Sequence, residues 1–158
     1  MMKKQFKLLF CALILGFSSF GQSKNAESAT DYNSAFGLRL GYPLGLTFKT
    51  FTSQHSAVEF LAGYWYGGVN VTGLYEYHGD ISGAPGLKWF VGGGLDFSYW
   101  NNFSYSGPAF AIDLIGGLDY KFNNAPLNVS LDWKPAFYVA GERGFRGTGA
   151  AVSLRYTF

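Results

Sequence analysis

Ala150-Ala151-Val152-Ser153-Leu154-Arg155-Tyr156-Thr157-Phe158 ends the chain. Successive side chains of a strand point to opposite faces, so this stretch divides by parity into two rows. Ala150, Val152, Leu154, Tyr156 and Phe158 share one face; Ala151, Ser153, Arg155 and Thr157 share the other. The first row is apolar throughout, while the second is small, polar or charged.

Working upstream, the same division recurs. Phe110, Ile112, Leu114, Leu118, Tyr120 and Phe122 oppose Asp113, Asp119 and Lys121. Leu87, Trp89, Val91, Leu95, Phe97 and Tyr99 oppose Lys88, Asp96 and Ser98, and Leu127, Val129, Leu131 and Trp133 oppose Asn128, Ser130, Asp132 and Lys134. Alternating blocks bounded by Gly, Pro, Asn, Asp and Ser predict strands at 33–42, 45–52, 57–66, 69–78, 86–99, 109–122, 127–139 and 148–158. The expected fold is all-β: an eight-stranded antiparallel transmembrane up-and-down barrel over residues 32–158. An even strand number returns both ends of the wall to one side of a membrane, here the periplasmic side. Pro135 lies inside the seventh block, where a closed wall has no free edge for a missing donor, so a bulge or register change is expected there.

Parity places every strand-borne charge on one inferred face: Arg39, Lys49, Glu59, Glu76, Lys88, Asp96, Asp113, Asp119, Lys121, Asp132, Lys134 and Arg155. A basic residue facing lipid near the midplane costs about 2–4 kcal/mol, so a bilayer imposes this sorting. A soluble sandwich also sorts by parity, but it gives aromatics no reason to gather at strand ends. Here Tyr75, Tyr77, Trp89, Tyr120, Phe122, Tyr156 and Phe158 fall toward one end of the apolar row, and Tyr42, Tyr64, Tyr66, Phe97, Tyr99, Phe110 and Phe137 toward the other. Two aromatic girdles around an aliphatic band are the pattern of a transmembrane barrel.

The N-terminal segment reads differently. Lys3, Lys4 and Lys7 precede the apolar run Leu8–Phe17, and Ser19-Phe20-Gly21 supplies small residues for cleavage, which predicts a signal peptide over 1–21. The run is well short of the ~20 residues of a spanning helix. Residues 22–31 read as a flexible periplasmic lead-in. The one cysteine, Cys11, falls within the apolar run, so the mature chain has no disulfide or thiolate site, and bulky Phe10 argues against lipidation at Cys11. Aromatics make up 20% of the chain and charged residues 14%, well below the ~25% charged residues of ordinary domains. The small positive charge belongs partly to the signal and gives no basis for a nucleic-acid partner.

The closing stretch, with apolar Val152, Leu154 and Tyr156 alternating up to a terminal Phe158, resembles the assembly signal of outer-membrane proteins. Together with the signal peptide and eight amphipathic strands, the chain is similar to small OmpA/OmpX-like barrels over residues 32–158. The resemblance implies location in the bacterial outer membrane and recognition by the barrel assembly machinery through that last strand. It carries over no catalytic residues.

Six acids and six bases on the inward row balance. An eight-stranded barrel is just wide enough for its side chains to fill, so these charges are expected to pair and plug it. Other motifs carry less. Gly92-Gly93-Gly94 has no helix after it to make a phosphate site, and reads as relief of barrel curvature. His55 and His78 read as solvated turn histidines without a metal-ligand cluster, although Glu76 shares a face with His78. No spacing selects a serine for a Ser-His-acid arrangement. In the loop 141–147, Arg143 and Arg146 flank Phe145 and offer a contact for lipopolysaccharide phosphates, with solvated charges as the plainer reading. The expectation is a non-enzymatic, cofactor-free, monomeric barrel with a closed, salt-bridged lumen, in contact with outer-membrane lipids and lipopolysaccharide and with a structural or surface-interaction role. The alternatives are a narrow pore for small solutes and a lipid-modifying outer-membrane enzyme.

Overall fold

The computed structural model describes residues 32–65, 67–101, 105–141 and 144–158. The expected signal peptide (1–21) and lead-in (22–31) lie outside the described residues, as do Tyr66 and Arg143. The strands are β1 Ser34–Gly41, β2 Leu44–Phe51, β3 Ser56–Trp65, β4 Gly68–Asp80, β5 Leu87–Asn101, β6 Ser106–Lys121, β7 Leu127–Trp133, β8 Ala136–Ala140, β9 Gly144–Arg146 and β10 Ala150–Thr157. β7 and β8 both pair with β6 and form one wall strand in two pieces; β9 and β10, which pair with β8 and β7, form another. Counted as eight wall strands, all pairings are antiparallel between neighbours in sequence except the first with the last, β1 with β10, in register from Ala35↔Thr157 to Gly41↔Ala151, which closes the wall. The result is an eight-stranded antiparallel closed barrel.

Two expectations about the wall need correction. The Trp100–Pro108 break is mostly strand, because β5 and β6 pair as far as Asn101↔Ser106. Within the 140–147 break, Gly144–Arg146 are likewise strand, with Phe137↔Phe145 paired between β8 and β9. Parity had hidden both, since Gly, Ser and Asn interrupt the apolar alternation without breaking the ladder. At Pro135 the β6 side keeps its register from Gly116↔Trp133 to Asp113↔Ala136, although proline cannot return the bond that Leu114 N donates to its carbonyl at 3.0 Å. The irregularity lies on the other side: Trp133 pairs with Ala150 but Ala136 with Arg146, so residues 147–149 form a bulge. This bulge turns Phe145 and Val152 outward despite their opposite parity. Phe137 also faces outward.

Large apolar side chains cover the outside of the barrel and charged ones lie within it. Leu38, Leu95, Leu114, Leu131 and Leu154 are exposed, whereas Arg39, Lys49, Glu59, Glu76 and Arg155 are at most 1% exposed. The inward row is not wholly polar: Leu61, Leu74, Phe90 and Ile115, from consecutive strands β3 to β6, form a buried apolar cluster on one side of the lumen.

Inward glycines permit the tight curvature. A Cβ on Gly94 would lie 1.9 Å from the Gly73 carbonyl oxygen, and one on Gly37 would lie 1.9 Å from that of Leu154. Outward Gly73 is different, since its nearest neighbour would be a Phe60 ring carbon at 3.8 Å. Gly94→Ala is therefore expected to lower the unfolding free energy by about 1–3 kcal/mol, whereas Gly73→Ala stays within about 0.5 kcal/mol of the parent. Urea unfolding followed by far-UV circular dichroism checks the pair; equal effects would contradict the curvature argument.

Candidate functional site

The most elaborate chemistry in the barrel lies along its axis. Lys49, on β2, is wholly buried, and its Nζ lies 3.4 Å from Glu59 Oε2 on β3, 2.8 Å from Glu76 Oε2 on β4 and 3.5 Å from Asp119 Oδ2 on β6. β6 stands four strands from β2 around the wall, so this ammonium reaches across the lumen. It also sits 4.4 Å over the Phe90 ring, joining the ionic cluster to the apolar one.

Arg155 makes the second tie. From β10 its Nη2 donates to Glu59 Oε1 at 2.5 Å and its Nε to Thr47 Oγ1 at 3.0 Å, while Nη1 donates to Ser130 Oγ at 2.8 Å and Asn128 Oδ1 at 3.1 Å. Thr47 in turn donates to Glu59. Glu59 therefore lies between the guanidinium and the Lys49 ammonium. A planar fork with this many fixed donors suits Arg, and Lys could not reproduce it. On the same side, Arg39 binds Asp132 in bidentate fashion at 2.6 and 2.7 Å, across β10.

The remaining inward charges lie apart from this hub. Lys134 pairs with Asp113. Lys88 pairs with the exposed Asp80 at 3.0 Å, near the end of the barrel. Lys121 donates to the Phe122 and Ala125 carbonyls at 2.6 and 2.8 Å, so its amine serves a turn rather than a carboxylate. Asp96 accepts from Asn70 at 2.8 Å, Thr72 at 2.6 Å and Ser98, and makes no ion pair among the described residues. At the barrel end where β1 begins and β10 ends, Tyr32 donates to Asp119 Oδ2 at 3.2 Å. Burial, followed by the Asp119 charge, raises its phenol well above the ordinary value, which keeps the donor protonated.

His78 corrects the sequence reading. It is buried rather than solvated, its Nε2 is 3.0 Å from Glu76 Oε2, and its ring stacks on Phe90 at 5.1 Å. The ladder continues to Asp80, two residues beyond the expected strand end, and this keeps His78 on the inward row. His55 is half-buried, with Nδ1 3.2 Å from the His78 carbonyl oxygen. Arg146 is also not a loop residue: it lies on β9 with its guanidinium 4.8 Å over Trp100 and 5.1 Å over Tyr138. Among the described residues no group of three His, Cys, Asp or Glu is placed to hold a metal ion.

The terminal Val152, Leu154, Tyr156 and Phe158 all face outward, 42% to 63% exposed, on the strand that closes the wall. Exposed aromatics cluster near strand ends, including Tyr77 with Trp89, Tyr120 with Phe122, Tyr156 with Phe158, Phe97 with Phe110 and Phe137 with Phe145.

Compared with known proteins, the chain matches no family model, no curated protein and no solved structure.

Removing one partner of a buried pair strands the other charge. Arg155→Met is expected to cost about 3–5 kcal/mol of unfolding free energy. In a double-mutant cycle with Glu59→Gln the coupling should be about 0.5–3 kcal/mol. Additive single effects in denaturant titrations would show that the two residues do not act as a pair.

Proposed function

We propose that the protein is a monomeric outer-membrane barrel, related in plan to the OmpA/OmpX-like group, whose role is structural or interactive at the bacterial envelope rather than catalytic. The observation that carries this reading is the inversion of the barrel. The outward row presents Leu38, Val71, Leu95, Leu114 and Leu131 at about half exposure or more, a continuous apolar surface far beyond what a soluble monomer ordinarily shows. A hydrocarbon surrounding makes that surface favourable, and a closed strand ladder leaves no unsatisfied edge within it. Aromatics near both ends of the band suit the interfacial zones.

The buried network supports a closed interior over a narrow pore. Lys49 bridges carboxylates on different sides of the wall, and the Arg39–Asp132 and Arg155–Glu59 pairs occupy the space beside it. Opening a path would require breaking several low-dielectric ion pairs. A lipid-modifying enzyme would need an acid or base reaching the lipid-facing row near the outer rim, and the sequence offers tyrosines there. The assembly role of Val152, Leu154, Tyr156 and Phe158 fits their place on the outward face of the closing strand. The interaction surface is smaller than the loop lengths suggest, because β5 and β6 pair as far as Asn101↔Ser106 and Gly144–Arg146 belong to β9.

The purified protein in detergent is expected to migrate differently on gels with and without boiling, and to give no steady single-channel steps in planar bilayers. Identical migration would overturn the membrane reading, and regular conductance steps would overturn the closed lumen.

A further inference from the structure

The charges of the ionic hub do not balance. Lys49 and Arg155 bring two positive charges to three buried carboxyl groups, those of Glu59, Glu76 and Asp119. Lys88, the cation of the neighbouring wall, is paired with Asp80. Ionising all three acids would therefore leave one negative charge uncompensated in an interior with little room for water, and a buried charge must be paired.

The three acids are not equally served with donors. Asp119 accepts from Asn128 on Oδ1, and from Tyr32 at 3.2 Å on Oδ2 beside Lys49. Glu59 Oε1 accepts from Arg155 and Thr47. On Glu76 both Lys49 at 2.8 Å and His78 Nε2 at 3.0 Å meet Oε2, and Oε1 is buried with no donor. Glu59 Oε2 is also buried without a hydrogen-bond donor, since Lys49 stands 3.4 Å away. Yet the Glu59 and Glu76 side chains hydrogen-bond to each other. Two carboxylates bring only acceptors to such a contact, so it requires a proton between them. The two oxygens without donors are the ones left to share it. The ionisable groups facing this pair are Lys49 from β2, His78 beside Glu76 on β4, Lys88 from β5, Asp119 from β6 and Arg155 from β10, with Tyr32 at the barrel end. His55 reaches only the His78 backbone oxygen.

We propose that the folded barrel binds one proton between Glu59 and Glu76 at neutral pH, carried on Glu76 Oε1 and donated to Glu59 Oε2. With it the hub holds two positive and two negative charges, and a neutral His78 donates through Nε2–H to Glu76 Oε2. The seal of the lumen is then itself titratable: losing the proton puts like charges in contact beside Lys49. The site rests on the side chains inside the barrel and not on what surrounds its outer face, so its test is independent of gel migration and conductance.

Infrared spectroscopy of the purified, folded protein in deuterated buffer at neutral pH provides the test, because ordinary Asp and Glu side chains are ionised there and give no carbonyl band of a protonated carboxyl. The parent should show such a band. It should be lost in Glu76→Gln and equally in Glu59→Gln, since either amide leaves two acids for two cations, and it should remain in Asp113→Asn, which alters the Lys134 pair outside the hub. Far-UV circular dichroism confirms each fold. While the folded barrel keeps a proton that the unfolded chain has released, the folding equilibrium constant falls about tenfold per pH unit. In urea titrations the parent should therefore lose stability relative to Glu76→Gln by that factor as the buffer is taken from weakly acidic to neutral. Absence of the band from the parent would overturn the proposal. So would its survival in Glu59→Gln, which would show an acid neutralised by burial alone, or parallel pH profiles of the parent and Glu76→Gln.

Discussion

The structure depends on the Lys49 ammonium being held among carboxylates in the middle of the lumen. An isolated charge cannot be buried at tolerable cost, and closing eight strands leaves an interior with little room for water. Lys49 resolves this by meeting Glu59, Glu76 and Asp119 at once, and Arg155 takes the other Glu59 oxygen. These partners come from β2, β3, β4, β6 and β10, so besides neighbours such as β2 and β3 the network ties together strands that share no backbone ladder, β2 with β6 and β3 with β10. The wall hydrogen bonds determine which strand lies beside which, while the ion pairs determine what fills the space they enclose.

The network also limits what the barrel can be used for. Charges committed to one another are poorly placed to conduct ions or to bind a passing solute, and the Leu61, Leu74, Phe90 and Ile115 cluster fills the other side. On the proposed reading, chemistry directed at an outside molecule is left to the ends. At one end Tyr32 and His78 are drawn inward onto Asp119 and Glu76. At the other, aromatic rings border a cavity together with Lys134, Arg146 and Asp96, which makes no ion pair among the described residues.

Much of this was legible in the sequence because a strand has a period of two. Strict alternation in Ala150–Phe158 assigns each residue of β10 to its face, and the same parity groups Arg39, Asp132 and Arg155 before any contact is known. Parity failed where the ladder is irregular or the side chains are uninformative. The bulge at 147–149 reverses the faces of β9, so Arg146 read as a loop charge when it caps the mouth. Asn101 and Ser106 read as loop because polar residues carry no apolar signal, though their backbones pair. Pairing across the lumen, such as Lys49 with Asp119 or Arg155 with Glu59, depends on barrel shear and side-chain reach, which one-dimensional alternation does not encode. Phe90 and Ile115 sit on the charge-bearing parity, and that was the available sign that the interior is part apolar.

The central claim is that the outward row meets lipid while the inward row is sealed. Single spin labels placed in turn along β10 and β6 of the bilayer-reconstituted protein test it through collisions with oxygen and with a water-soluble nickel complex. The account predicts a period-two pattern, with oxygen contact high and nickel contact low at Val152, Leu154, Ile112 and Leu114, and both low at Ser153 and Ala111. Nickel contact as high at Leu154 and Leu114 as at an exposed turn such as Gly83 would place the apolar row in water and contradict it.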